Sequence, residues 1–230
     1  MYAILRTYNT EKILETINNL QKTKFIKQFF VIINANKDYL NTPKLISEYY
    51  DQKYVLPIPI DNYGWAKALN SGIRSLPTLK NKKELVLVVS NEIQINKNEL
   101  SLLKQKAVSN NASCGYSLFK SRDEPTYRVP RNTYIVWQRQ IFEEVGLFDE
   151  SLDDSTGMED YEMVLRSYAN NRRLPFLGAK NVDLKLRIET NLEKKLEWEL
   201  RGIKIIEKNY PNNLIDKIKL HLEQQNKEKY

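Results

Sequence analysis

Apolar residues along the chain fall into short runs separated by polar turns, and two spacings alternate between them. Tyr2–Leu5, Phe29–Ile33 (FFVII) and Leu85–Val89 (LVLVV) are continuous apolar runs of strand length, the pattern of strands covered on both faces. Tyr54–Ile60 is a further extended run. Pro57 and Pro59 put it at an edge or make it irregular, because proline donates no ladder hydrogen bond. Between these runs Ile13, Leu14, Ile17 and Leu20 mark one face of a helix, and Gly64–Arg74 and Asn98–Val108 read as two more. The alternation predicts an α/β fold, a mostly parallel central sheet flanked by helices on both faces.

In sheets of this kind ligands bind beyond the carboxyl ends of the strands, near the point where strand order reverses. The residues expected there are Thr7 and Asn9, Asn34 and Asn36, then Ser90, Asn91 and Glu92. All can form hydrogen bonds, and together they suggest a nucleotide pocket. Singly, each is also what a chain needs to turn at a surface.

A second concentration of polar chemistry sits at Glu159-Asp160. Tyr161, Val164, Leu165 and Tyr168 form one buried stripe of a short helix, which puts both acids in its first turn. There the helix dipole and the unpaired backbone N–H groups favour a fixed, ionised carboxylate. Such a pair either complements a helix end or supplies a general base.

Composition narrows the classes of function. With 230 residues and 41% hydrophobic content the chain can bury a core as one domain. No run has the roughly 18 apolar residues of a membrane span, and no charged-then-apolar leader opens the chain, so a cytoplasmic location is expected. One cysteine, Cys114, and one histidine, His221, leave no material for an internal disulfide, a cysteine cluster or a His-rich metal site. The net charge of +7 favours anionic partners in general or reflects a lysine-rich solvated surface.

The run FEEVGLFDESLDDSTGMEDYEMVLRSYANN resembles the C-terminal motif of the family 2 glycosyltransferases, which have the GT-A (nucleotide-diphospho-sugar transferase) fold. By that resemblance Asp160 is the catalytic base, with Glu159 beside it. Arg6-Thr7-Tyr8-Asn9 is similar to the family's first-strand motif bordering the nucleotide. VIINANKD matches the second-strand end, with Asn34 where the family usually has a base-reading Asp. DNYGWAKALNSGIRSL resembles the Asn-x-Gly-x-x-x-Ala-x-Asn-x-Gly helix under the nucleotide. There Gly64 would admit the ligand, Asn70 would face the pocket and Lys67 would reach a phosphate or lie in solvent.

The departure lies at Ser90-Asn91-Glu92, where the family carries the acids of a DxD motif. Glu92 takes the place of the acid that coordinates Mn²⁺ or Mg²⁺. Three readings follow. Glu92 holds the metal together with water and the diphosphate, or cations such as Lys67, Arg122, Arg128 and Arg131 replace the metal, or catalysis is lost.

The resemblance implies a glycosyltransferase that moves a sugar from a nucleotide-diphosphate sugar to an acceptor hydroxyl, on a glycan, a lipid-linked molecule or another alcohol, with inversion. The alternative is a catalytically silent domain of the same fold that binds a nucleotide sugar or glycan or serves as a partner subunit. Nucleic acid is not expected as a partner. Residues 113–137 are expected to form a second small sheet over the donor site, with Arg128–Asn132 and Trp137 as acceptor contacts or Trp137 as plain core. Residues 1–188 are expected to form the catalytic domain. Residues 189–230 read as an amphipathic helical extension with a stripe at Leu192, Leu196, Leu200, Ile203 and Ile206. Its helices would dock on the domain, pair two copies or touch a membrane surface peripherally.

Overall fold

The computed structural model describes residues 1–7, 10–34, 41–60, 64–79, 81, 83–90, 97–116, 134–155, 158–169, 176–177, 201–202, 204–211 and 216. The strands are β1 (Tyr2–Thr7), β2 (Gln28–Asn34), β3 (Val55–Ile60), β4 (Leu85–Ser90), β5 (Cys114–Tyr116), β6 (Tyr134–Gln138) and β7 (Phe176–Leu177). The helices are α1 (Thr10–Lys22), α2 (Asn41–Tyr49), α3 (Trp65–Arg74), α4 (Lys97–Ser109), α5 (Gln140–Glu144) and α6 (Glu159–Ala169), with a 3-10 turn at Glu150–Ser155.

Among the described residues the strands form one seven-stranded sheet in the order β3-β2-β1-β4-β6-β5-β7. β3, β2, β1 and β4 are mutually parallel. β6 runs antiparallel to β4 and β5 antiparallel to β6, while β7 joins β5 in parallel. The expected second small sheet is therefore not formed by β5 and β6. They extend the main sheet, because β6 offers β4 a full register of partners from Tyr134 to Gln138, apolar or aromatic as far as Trp137.

The two-residue period of the strands divides the core in two. Ile4, Phe30, Ile32, Val86, Val88, Ile135 and Trp137 face a cluster completed by α3, α5 and α6. Ala3, Leu5, Phe29, Val31, Ile33, Leu87, Val89 and Val136 face the other, completed by α1, α2 and α4. Most of these side chains are fully buried, and each Val, Leu or Ile so buried stabilises the fold by roughly 1.5–3 kcal/mol. Trp137 is 0% exposed and packs against Phe142 and Phe148 at ring-centroid distances of 5.7 and 5.8 Å. It is core, not an acceptor contact, since β6 carries its side chain into the α3 side of the sheet.

Helices α1 and α2 cover one face while α3 covers the other, so strand order reverses between β1 and β4. The close seat of α3 depends on Gly72. A Cβ there would lie 2.8 Å from Ile4 Cγ2 and 3.1 Å from Ile32 Cδ1.

Candidate functional site

Thr7, Asn34, Ile60 and Ser90 end the four parallel strands, and Tyr134, paired with Val89, begins β6 at the same edge. This edge contains the reversal point between β1 and β4, where open sheets of this type place their ligands. Arg6 and Ser90 are register partners there, 3% and 5% exposed. By the two-residue period both follow Ile4 and Val88 onto the face of α3. The Arg6 guanidinium lies 3.5 Å from the centre of the Trp65 ring, on the first residue of α3. This stack was not anticipated, although Arg6 and Trp65 both stand inside the motifs that mark the edge. Gly64 caps α3 with φ −59° and ψ −176°, a conformation open to any residue. What glycine adds there is the absence of a side chain. Asn9, Asn91 and Glu92 lie outside the described residues, as do Arg122, Arg128 and Arg131. Asn34 is placed only as the last residue of β2.

A second group of side chains fixes the segment between α5 and α6. Asn70, expected among the nucleotide contacts, is buried and commits its amide to this segment. Its Nδ2 donates to the Phe148 carbonyl at 2.9 Å and to Glu150 Oε1 at 2.8 Å, and its Oδ1 accepts the Phe148 N–H at 3.0 Å. Arg74, one helical turn on, bridges the same Glu150 oxygen at 2.9 Å. The Asn70 hydrogen bond foremost, and then Arg74 and the nearby Lys67, hold the Glu150 carboxyl below its ordinary pKa.

Helix α6 grips the segment from the other side. Arg166 donates through Nε and Nη2 to the two Glu162 oxygens at 2.9 and 2.7 Å, a forked charge-assisted pair. The same guanidinium donates to the carbonyls of Val145 at 3.0 Å and Leu147 at 2.8 Å. Between those carbonyls Gly146 adopts φ +97°, and a Cβ on it would sit 3.0 Å from Arg166 Nη1. Glycine is needed at this position for its backbone conformation. Asn70, Arg74, Phe148, Glu150, Glu162 and Arg166 line an open depression of about 440 Å³.

Glu159 and Asp160 open α6 and are 3% and 4% exposed. Carboxylates so buried at a helix N-terminus are favoured by the dipole and held in one direction. Asp160 precedes Arg166 by six residues, about 9 Å along the helix axis. Tyr210 closes the group: its phenol donates to Glu162, and burial foremost, followed by that bond, raises its pKa. Among the described residues no three His, Cys, Asp or Glu side chains come together as a metal site. At the strand edge Ser90 contributes a neutral oxygen, and no fit to a divalent ion is established.

The fold has counterparts among solved structures. A mannosyltransferase from Pyrobaculum calidifontis, solved in complex with GDP-Man and Mn²⁺, superimposes with a TM-score of 0.65 at 14% identity over 88% of this chain and 64% of that one. The fold is GT-A. Residues 1–349 of S. aureus TarS give 0.56 at 21% identity, covering 79% of this chain and 59% of that one. A 4-diphosphocytidyl-2C-methyl-D-erythritol synthase from Anaerococcus prevotii gives 0.55 at 14% identity, covering 87% and 97%. The chain thus spans less than two thirds of the first two GT-A proteins and nearly all of the third. No protein-family model matches the chain, and no curated protein matches it in sequence. Among the described residues no helix is long and apolar enough to cross a membrane.

Proposed function

We propose that the protein is a glycosyltransferase of the family 2 type. It would transfer a sugar from a nucleotide-diphosphate sugar to an acceptor hydroxyl with inversion at the anomeric carbon. The observation that carries this reading is the buried Glu159-Asp160 pair opening α6, in a GT-A fold whose strand edge is lined by polar residues. Asp160 takes the acceptor proton as the acceptor oxygen attacks the anomeric carbon. The bond from that carbon to the diphosphate breaks, and the nucleoside diphosphate leaves with the electron pair. Glu159 stands beside it in the first turn of α6. Thr7, Asn9, Asn34, Gly64, Lys67, Ser90 and Asn91 would surround the nucleotide. Asn70 serves the site by holding the loop before α6.

The mannosyltransferase that shares the fold was solved with GDP-Man and Mn²⁺, which supports a nucleotide sugar as donor here. Glu92 is the residue proposed to hold Mn²⁺ or Mg²⁺, and a bound metal would neutralise charge on the diphosphate.

The test is calorimetric titration with UDP, GDP, dTDP and their sugars, with and without Mn²⁺, followed by turnover assays on Asp160→Asn. The expected result is one preferred nucleotide, donor affinity retained in Asp160→Asn, and a roughly 10²–10⁴-fold loss of kcat. Full turnover by Asp160→Asn would remove the base from the scheme. Nucleotide binding without any transfer would favour the silent binding domain instead.

A further inference from the structure

Among the described residues near the C-terminus, Ile206 and Tyr210 join the apolar cluster that includes the buried face of α6, and Tyr210 makes a side-chain hydrogen bond to that helix. Residues 204–209 are helical, and Ile206 is 1% exposed within the same apolar cluster as Met158, Tyr161, Val164 and Leu165. Tyr210 follows one turn later, its N–H donating to the Ile206 carbonyl at 2.9 Å. Its ring packs against the cluster while its phenol reaches Glu162.

Glu162 is only 4% exposed, and a buried carboxylate is tolerated when its oxygens are paired. The partners identified for it are Arg166 on its own helix and Tyr210 from the C-terminal segment. Arg166 in turn holds the backbone on both sides of Gly146. One chain of hydrogen bonds therefore runs from residue 210 through α6 to the turn at 145–147. Glu162 is one helical turn from Glu159 and two residues from Asp160. Rotation of α6 about its axis, which would move both acids, must break this chain of bonds first.

We propose that Tyr210 is a positioning residue for the Glu159-Asp160 turn, so that the C-terminal segment belongs to the reacting centre and is more than an appended extension. This rests on the transfer reading given above. Tyr210 touches Glu162 and acts on the acids only through it.

The test uses the full chain carrying Tyr210→Phe, which keeps the ring and removes the bond. Two measurements are made beside the wild type: hydrogen exchange of amides in α6 and in 145–150, and steady-state kinetics with the donor selected by calorimetry. Loss of a hydrogen bond to a charged, buried group should speed exchange in α6 and 145–150 roughly tenfold while β1 and β4 stay protected. In the same variant kcat should fall about three- to tenfold with donor KM within about twofold, since the donor edge is untouched. Unchanged exchange in α6 overturns the latch itself. Faster exchange with unchanged kcat overturns the positioning role and leaves a purely structural bond. A wild-type chain that binds no nucleotide and transfers no sugar sinks the transfer reading and the role of Tyr210 in it, while the exchange data still decide whether the latch exists.

Discussion

Gly72 offers a case in which two well-understood effects oppose each other and the structure decides between them. It sits inside α3, where replacing glycine by alanine favours the helix by about 1 kcal/mol because the unfolded chain loses freedom. Against that, the added Cβ would meet Ile4 Cγ2 at 2.8 Å and Ile32 Cδ1 at 3.1 Å. Carbon atoms prefer about 3.5–4.0 Å, so a shift on the order of 0.7 Å or more is required. Ile4 and Ile32 are both 0% exposed on central strands and have nowhere to go. Overpacking of this kind typically costs 1–3 kcal/mol. We expect Gly72→Ala to be net destabilising by about 1 kcal/mol in urea unfolding, and Gly72→Val by more. Ile4→Ala should relieve the clash, so the double variant with Gly72→Ala should be more stable than the two single effects predict, by about 1 kcal/mol. A Gly72→Ala protein about 1 kcal/mol more stable than wild type would show that helix propensity prevails and that the seat of α3 on β1 and β2 is looser than described.

Two further perturbations probe other parts of the argument. At the far end of the sheet Arg139 and Glu84 form an ion pair with both side chains 9% exposed, and Arg139 also donates to the Pro77 carbonyl. Arg139→Ala leaves Glu84 with Lys27, itself largely exposed, and should cost about 3 kcal/mol by thermal or urea unfolding. A loss under about 1 kcal/mol would mean that solvent already screens the pair. Glu150 supplies a pH dependence. Its folded pKa lies below its unfolded value, so its contribution is present above the ordinary carboxylate pKa and is lost as pH falls through the folded one. Acidification should therefore loosen 148–150, seen as faster exchange of the Phe148 amide, and Glu150→Gln should flatten that trend; identical pH slopes in the two proteins would exclude Glu150 as the cause.

The parallel half of the sheet was readable because FFVII and LVLVV leave little choice but strands covered on both sides, and because Pro57 and Pro59 mark β3 as an edge. Helix α2 was not anticipated. It is nine residues long, begins at Asn41 with Pro43 in its first turn and buries only Thr42 and Ile46, too short a pattern to show a period. The Glu159-Asp160 helix start was legible from Tyr161, Val164 and Leu165. The hydrogen bonds that hold it were not, since Arg166, Asn70 and Tyr210 act across long stretches of chain that no local spacing reveals. Asn70 shows the difference plainly: its motif placed it near the site, and only the packing of α3 on Phe148 shows which way its amide is used.

The single cysteine has a practical consequence. Cys114 is 0% exposed, on a strand closed in by α4 and β6, and a thiol reagent cannot reach it in the native state. A cysteine placed at Val108, 51% exposed near the end of α4, would be the one reactive thiol in the folded protein. Helix α4 covers the side of the sheet opposite α3 and α6, and it ends near the start of β5, at the edge away from Thr7 and Ser90. A fluorophore or surface tether attached there would sit away from the strand edge at Thr7 and Ser90 and on the sheet face opposite α6, leaving both unobstructed for single-molecule observation of ligand arrival.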